Sequence, residues 1–386
     1  MQEKAFAEWG AKKMLTMKVL MTASVYVHIR NFHLPYLREF QRLGWETHVG
    51  CRGIPQDAPH IDRVIELPFE KKMAAGGNFR AAQILRQTIK AEQYDLIITH
   101  TSLAAFFTRL AVEGLRDRPR LINVMHGYLF DEHTPFLKKQ LLLNAERLAA
   151  PETDLLLVMN EWDYQAAKKY RLGKQIEKIP GMGVDFSKLD AATPEDGKRL
   201  REKLGIPADA FVLFYPAELS KRKSQHVLIE AMQYLPESVR LVLCGEGDQL
   251  PACKALAQKF RVQDRVLFPG QVTDIAAWYR MADALVASSR SEGLPFNVME
   301  AMYCGLPVIA SAVKGHVDLI EDGVSGLLYP YGDAKKCVEC VECLMREPGH
   351  LKQIDRRAAE QFSLDNVLPA VVNKYLSTLL ERGRHK

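Results

Sequence analysis

Short apolar runs alternate with amphipathic stretches along almost the whole chain. Runs at 18–23 (KVLMTA), 46–51 (ETHVGC), 95–99 (DLIIT), 120–125 (RLINVM) and 154–159 (DLLLVM) read as buried strands. Between them, 34–43, 79–93, 102–114 and 136–149 carry apolar positions at helical spacing. Strands that alternate with such helices predict βαβ units and a parallel sheet. At 180–197 the pattern lapses into PGMGVDFSKLDAATPEDG, rich in Gly, Pro and Asp, which reads as an interdomain linker. The alternation restarts with strands near 211–215, 239–244, 265–268, 283–287 and 307–310. The predicted fold is α/β, with two doubly wound Rossmann-like domains at 17–185 and 186–364 facing across a cleft. A last amphipathic stretch within 365–386 is placed to pack back on the first domain. Ligands of such sheets bind beyond the carboxyl ends of the strands, so the cleft is the expected site.

Composition narrows the class without changing the fold. The 386 residues are 47% hydrophobic and 26% charged, which excludes disorder, collagen-like repeats and coiled coil. No apolar run approaches the ~18 residues of a membrane span. Seven cysteines, an odd number thinly spread, point to a reducing compartment. Residues 1–16 lack the apolar core of a signal peptide and are read as an extension, so a cytoplasmic protein is expected. The net charge of +5 sits entirely in residues 1–185, with 26 Lys and Arg against 21 Asp and Glu; beyond them the count is 26 against 26. That excess is too weak for nucleic acid, but it suggests that the halves meet different partners.

Missing motifs exclude several chemistries. There is no Gly-x-Gly-x-x-Gly, since Leu250 stands where a third glycine after Gly245 and Gly247 belongs. P-loop and Gly-x-Ser-x-Gly patterns are also missing. No Asp-x-Asp occurs, so no metal is expected. Cys337, Cys340 and Cys343 fall on one face of a predicted helix without a fourth ligand and read as packed thiols. Trp278-Tyr279-Arg280 reads as core and helix surface rather than a base-stacking platform.

The informative segment is 288–311, SSRSEGLPFNVMEAMYCGLPVIAS. A strand ends near Ser288, and a helix is predicted from about Phe296 to Cys304, whose amino end favours an anion such as a diphosphate. Glu292 and Glu300 are eight residues apart, about two turns plus 80°, so only Glu300 lies on the helix proper. Two readings of the pair stand. The carboxylates accept from sugar hydroxyls, or Glu292 caps the helix dipole and Glu300 is solvated. Lys221, Arg222 and Lys223 follow the strand at 211–215, where a diphosphate would meet them.

Several linked motifs give this segment a family resemblance. Glu292-x7-Glu300 resembles the Glu-x7-Glu of retaining glycosyltransferases of family 4, which have the two-domain GT-B fold. Gly270-Gln271-Val272, Ala282-Asp283-Ala284, Gly305-Leu306-Pro307-Val308, Gly315 and Gly323-Val324-Ser325-Gly326-Leu327-Leu328 match that family in order and spacing. The bacterial exopolysaccharide and capsule branch is similar at Ser24-Val25-Tyr26-Val27-His28, at Asn31 to Leu37 and at Gly315 to Ile320.

The resemblance implies that Glu300 holds the ribose hydroxyls and that Glu292 contacts the transferred sugar. It assigns the segment Gly293, Leu294, Pro295 and Phe296, through its N–H groups, to the sugar and diphosphate, and it puts Val272 and Gly245 among the donor-binding residues. His126 would face the donor sugar, and the small residues Thr22, Ala23 and Ser24 would bring amides to the distal phosphate. The loop from His28 to His33 is a candidate for contacting acceptor. Lys223 matches the family lysine. The usual arginine is replaced by Glu218, leaving Arg222 as the second cation.

The expected activity is metal-independent, retaining transfer of a hexosyl or N-acetylhexosaminyl group from a UDP-linked sugar. Transfer would occur on the front face, with the departing phosphate oxygen taking the acceptor's proton. The expected acceptor is a polyprenyl-diphosphate-linked saccharide at the inner face of the cell membrane. Arg30, Arg38, Arg42, Lys71, Lys72, Arg80 and Arg86 are available there to meet anionic lipid. Two alternatives remain at this point: a catalytically silent sugar-nucleotide-binding partner of an assembly complex, which Glu218 favours, and a GT-B-like UDP-sugar epimerase.

Overall fold

A computed structural model describes residues 17–347, 349, 351 and 356–380; the expected extension at 1–16 and the end of the 365–386 stretch lie outside them. The chain divides into two units, one running to Met182 and resuming at Val367, the other Gly183–Asn366.

The first unit is built on seven strands: β1 (Lys18–Val25), β2 (Glu46–Arg52), β3 (Arg63–Glu66), β4 (Leu96–His100), β5 (Arg120–Met125), β6 (Leu155–Val158) and β7 (Gln175–Lys178). Their order is β3-β2-β1-β4-β5-β6-β7, and every pairing is parallel. Central strands such as β4 and β6 are buried along their whole length, as sheets covered by helices on both faces require. The second unit holds β8 (Phe211–Pro216), β9 (Val239–Cys244), β10 (Val266–Gly270), β11 (Ala284–Ala287), β12 (Val308–Ser311) and β13 (Leu327–Tyr329). Their order is β10-β9-β8-β11-β12-β13, again all parallel. Val212, Phe214, Val242, Val286 and Ile309 form the middle of its core. Each sheet reverses its strand order once, between β1 and β4 and between β8 and β11. A doubly wound sheet opens its ligand crevice at that reversal.

The sequence misplaces some connections. The chain crosses from the first unit to the second within 180–197, at Met182–Gly183, but the segment is folded: it holds a 3-10 turn at Phe186–Ala191 and the start of a helix, Pro194–Lys203. The residues that suggested a linker are structural here. Thr193 and Asp196 form a reciprocal capping box, and Pro194 occupies the first turn. Gly197 lets this helix approach closely, since a Cβ there would lie 2.5 Å from the carbonyl oxygen of Arg280. The expected loop at His28–His33 is instead a helix, Tyr26–Phe32, with His33 as its carboxyl cap. The helix Leu364–Leu380 ends within the first unit, where Tyr375 is fully buried 6.2 Å from the Tyr36 ring and 6.1 Å from that of Phe40. Among the described residues no helix is long and apolar enough to cross a membrane.

Candidate functional site

The loops that leave β8 and β11 meet at the reversal point of the second sheet. After β8 the chain turns through Lys223 and Ser224, and Ser224 takes a left-handed φ of 53° before the helix Gln225–Ala231. A non-glycine residue in that region is strained, and such strain collects at functional sites. Backbone bonds lock the two loops together: Arg290 N donates to Arg222 O at 2.8 Å and Ser288 Oγ to Lys223 O at 2.9 Å.

Glu292 lies at the centre of this junction. Lys223 Nζ donates to its Oε1 at 2.6 Å, Ser289 Oγ to the same oxygen at 2.5 Å, and Arg222 Nη1 to Oε2 at 2.8 Å. Burial would push the carboxyl upward, but the Lys223 and Arg222 charges more than offset it and hold Glu292 well below the usual carboxylate range. Burial lowers the Lys223 ammonium, with Glu292 working against that shift. His316 is buried behind the pair, its Nδ1 2.8 Å from Ser311 O, and Nε2 has no partner. Gly315 packs its backbone against Glu292: at φ 84° a Cβ there would stand 2.8 Å from Glu292 Cβ.

The helix Phe296–Tyr303 begins beside Pro295 with no side-chain cap hydrogen bond. Asn297 Nδ2 donates to Pro216 O at 3.1 Å and ties that helix start to the end of β8. Glu300 is half-buried and accepts from the Tyr279 hydroxyl at 2.7 Å, while burial raises its pKa. The solvated reading of Glu300 therefore fails. Gly293 and Pro295 are buried, and Leu294 and Phe296 half-buried, all between Glu292 and Asn297.

Gly245 and Gly247 make the neighbouring wall. A Cβ on either would lie 2.1 Å from a carbonyl oxygen, of Ala217 or Leu219 respectively, so only glycine lets the loop after β9 lie against the 217–219 segment. Val272 is half-buried against the second unit's core. Glu218 is exposed, and its carbonyl accepts from Gln225 Nε2 at 2.8 Å.

In the first unit, Ser24 differs from expectation: its amide donates to Thr101 Oγ1 at 3.1 Å, so it is committed within the protein rather than offered to a phosphate. His126 directly follows β5 and lies among three other imidazoles. Its Nε2 lies 3.4 Å from His28 Nε2 and 3.2 Å from His100 Nδ1, and His33 stacks on His100 with ring centroids 3.6 Å apart. Burial, then mutual repulsion, holds His33, His100 and His126 well below the ordinary histidine range, and burial brings His28 down to about 4.

The sequence singles out Glu292, Glu300, Arg222, Lys223 and His126 as candidates but not the residues that hold them. Ser289, Tyr279 and Asn297 bear no motif, and they meet their partners only through the fold. The four histidines lie up to 98 positions apart and left no local pattern.

The comparisons agree with this layout. Residues 196–361 match the family described as Glycosyl transferases group 1, and residues 32–175 match the Glycosyl transferase 4-like domain. EpsD of Bacillus subtilis (strain 168) is 35% identical over 357 residues, 90% of this chain and 93% of that protein. The UDP-Gal:alpha-D-GlcNAc-diphosphoundecaprenol alpha-1,3-galactosyltransferase of Escherichia coli is 29% identical over 259 residues, 64% of this chain and 66% of that protein. Among solved structures, Anabaena HepE in complex with UDP and glucose superposes with a TM-score of 0.76 at 22% identity, covering 94% of this chain and all of that one. With the switch-point geometry above, these matches place the chain among the glycosyltransferases of the family 4 type, with their GT-B fold.

Proposed function

We propose that this glycosyltransferase is a retaining enzyme that moves a hexosyl or N-acetylhexosaminyl group from a UDP-sugar onto a polyprenyl-diphosphate-linked saccharide of an exopolysaccharide or capsule repeat unit. The observation that carries the reading is the ion-paired group of Lys223, Arg222 and the buried Glu292 at the reversal point of the second sheet. Two cations fixed at the carboxyl end of β8 suit a diphosphate whose charge grows as the sugar leaves. They would do this without a metal ion on the donor. Arg222 would replace the arginine that Glu218 displaces from the usual position. Glu292 would release the cations to the diphosphate and turn its oxygens to sugar hydroxyls, with His126 positioning that sugar. Glu300, aimed by Tyr279, would accept from the ribose. The departing phosphate oxygen would take the acceptor's proton, so no side-chain base is needed.

A UDP donor and a lipid-linked acceptor are supported by the UDP bound to HepE and by the name of the E. coli relative. Peripheral contact with the inner membrane face is supported by the helix Phe136–Ala149. Its Leu137, Leu141 and Leu148 are 82%, 71% and 64% exposed and, at about 100° per residue, share one narrow stripe. Transfer from radiolabelled UDP-sugars to lipid-linked acceptor tests the assignment. Lys223→Ala and Glu300→Ala are each expected to reduce it by at least about a hundredfold; near-normal rates in both overturn the site. Tight UDP binding by the unaltered chain with no turnover on any such acceptor would favour the silent-partner reading that Glu218 suggests.

A further inference from the structure

The geometry points to a divalent transition-metal site of the zinc class in the first unit, built by His28, His33, His100 and His126. The four imidazoles come from separate segments. His28 and His33 lie on and just after the helix that follows β1, His100 ends β4 and His126 follows β5. They therefore gather at the carboxyl ends of β1, β4 and β5, where the first sheet reverses its order.

Three observations favour a cation over a packed aromatic cluster. Each ring offers one nitrogen, and all four of these nitrogens lie within 4.8 Å of one another. The separations at His126 Nε2, 3.4 Å to His28 and 3.2 Å to His100, match the edge of about 3.3 Å between nitrogens bound tetrahedrally to zinc. Hydrogen bonding alone cannot satisfy both contacts, because a ring nitrogen has a single in-plane site and serves one partner. A cation at their centre serves all three.

His33 supplies the third observation. It is fully buried, and neither ring nitrogen has a hydrogen-bond partner; His100 Nε2 is likewise buried without one. Buried polar atoms without partners are rare and call for a ligand. One nitrogen of His33 lies within 4.8 Å of a nitrogen of each of the other three rings, which makes it the candidate for the fourth ligand. Next to His100, Thr101 holds a φ of 62°, a strained conformation for threonine that fixes where the strand end points. Neutral nitrogen donors with no carboxylate suit zinc, cobalt or nickel rather than magnesium or calcium. The four histidines all belong to the first unit, whereas Lys223 and Arg222 belong to the second.

Full-length protein without a histidine tag, stripped by dialysis against a chelator, is titrated with Co2+ and followed by visible absorption. The expected result is saturation at one equivalent, with the intense bands of tetrahedral cobalt that Zn2+ then abolishes. His28→Gln combined with His126→Gln should lose the bands and weaken Zn2+ binding at least about a hundredfold. His133→Gln, an exposed histidine outside the cluster, should leave both unchanged. If the double variant does not fold, His28→Gln alone, with its circular dichroism checked, should weaken Zn2+ binding at least about tenfold. Absence of cobalt bands in the unaltered protein, or equal binding by folded cluster variants, overturns the site. The readout contains no transfer step, so its failure is distinct from failure of the proposed donor chemistry.

Discussion

At Glu292 one carboxylate bridges two cations before any donor arrives and leaves the group a net charge of +1. A diphosphate brings its own negative charge, so it competes with Glu292 for Lys223 and Arg222. Breaking one side of a buried ion pair costs about 3–5 kcal/mol; glutamine keeps the shape and one accepting oxygen, so the loss should fall near the lower end. Glu292→Gln is therefore expected to lower Tm without ligand and to show a larger UDP-induced rise in Tm than the unaltered protein, while transfer falls. An equal or smaller rise would mean that Glu292 does not compete for the cations. Asp154 offers a purely structural counterpart. Arg118 reaches both its oxygens at 2.7 and 2.8 Å, with Lys174 Nζ and Leu121 N at 2.9 Å. Burial pushes this carboxyl up, but the donors outweigh it and bring it from 3.8 to about 2. A lowered carboxyl contributes stability that is complete above the unfolded value and lost as pH falls through the folded one, here between about pH 4 and 2. The shift corresponds to about 2 kcal/mol. Asp154→Asn should lower Tm at pH 7, and the gap should close as pH approaches 2; a pH-independent gap would refute the linkage. Glu292 and Lys223 were legible because they sit in motifs whose spacing survives in one dimension. Tyr279 read as ordinary core, since only the folded helix carries its hydroxyl to Glu300 and Asn297 O.

Elements were legible where burial was continuous. β5, buried at five successive positions, and β9 have the bounds that their apolar runs predict. The missed strands are β3, β7 and β13: Arg63–Glu66 and Gln175–Lys178 flank the first sheet, and Leu327–Tyr329 ends the second. An edge strand buries little, so β7 shows only half-buried and exposed positions and β3 one buried residue. No apolar run marks β3 or β7, and that of β13 is only three residues long. The loop after β9 was legible only as a failed dinucleotide motif, yet its glycines have a physical reason. Gly245→Ala should force that loop off the Ala217 carbonyl and, through the 217–225 segment, weaken UDP binding about tenfold or more. Unchanged affinity in a calorimetric titration would break this link. The helix Phe136–Ala149 was predicted with correct bounds, but its outward leucines were not. Leu137→Asp with Leu141→Asp should reduce pelleting with phosphatidylglycerol vesicles at least about tenfold. Undiminished pelleting would return the membrane contact to the basic residues. Of these, Arg86 already spends its Nη1 on the carbonyls of Ala111 and Glu113, and Arg42 pairs with Glu39.

For the whole molecule, the two-unit organisation was legible because the βα alternation stops and restarts, although the pause is itself folded. Counted by unit the asymmetry is sharper: the first unit, with residues 367–386, carries 30 Lys and Arg against 21 Asp and Glu, and the second 22 against 26. Vesicle binding that resides in the first unit should therefore weaken as salt rises, and salt-independent pelleting would leave only the apolar stripe to explain it. The division also leaves the first unit discontinuous, closed by residues from Val367 onward. Those residues bury Tyr375, and Lys374 forms an ion pair with Glu177. During synthesis, the amino-terminal sheet emerges from the ribosome first and must wait through the making of the entire second unit for its last helix. The portion translated earliest is thus the last to be completed: until the residues after Asn366 have emerged, Tyr36 and Phe40 lack the Tyr375 ring that packs beside them.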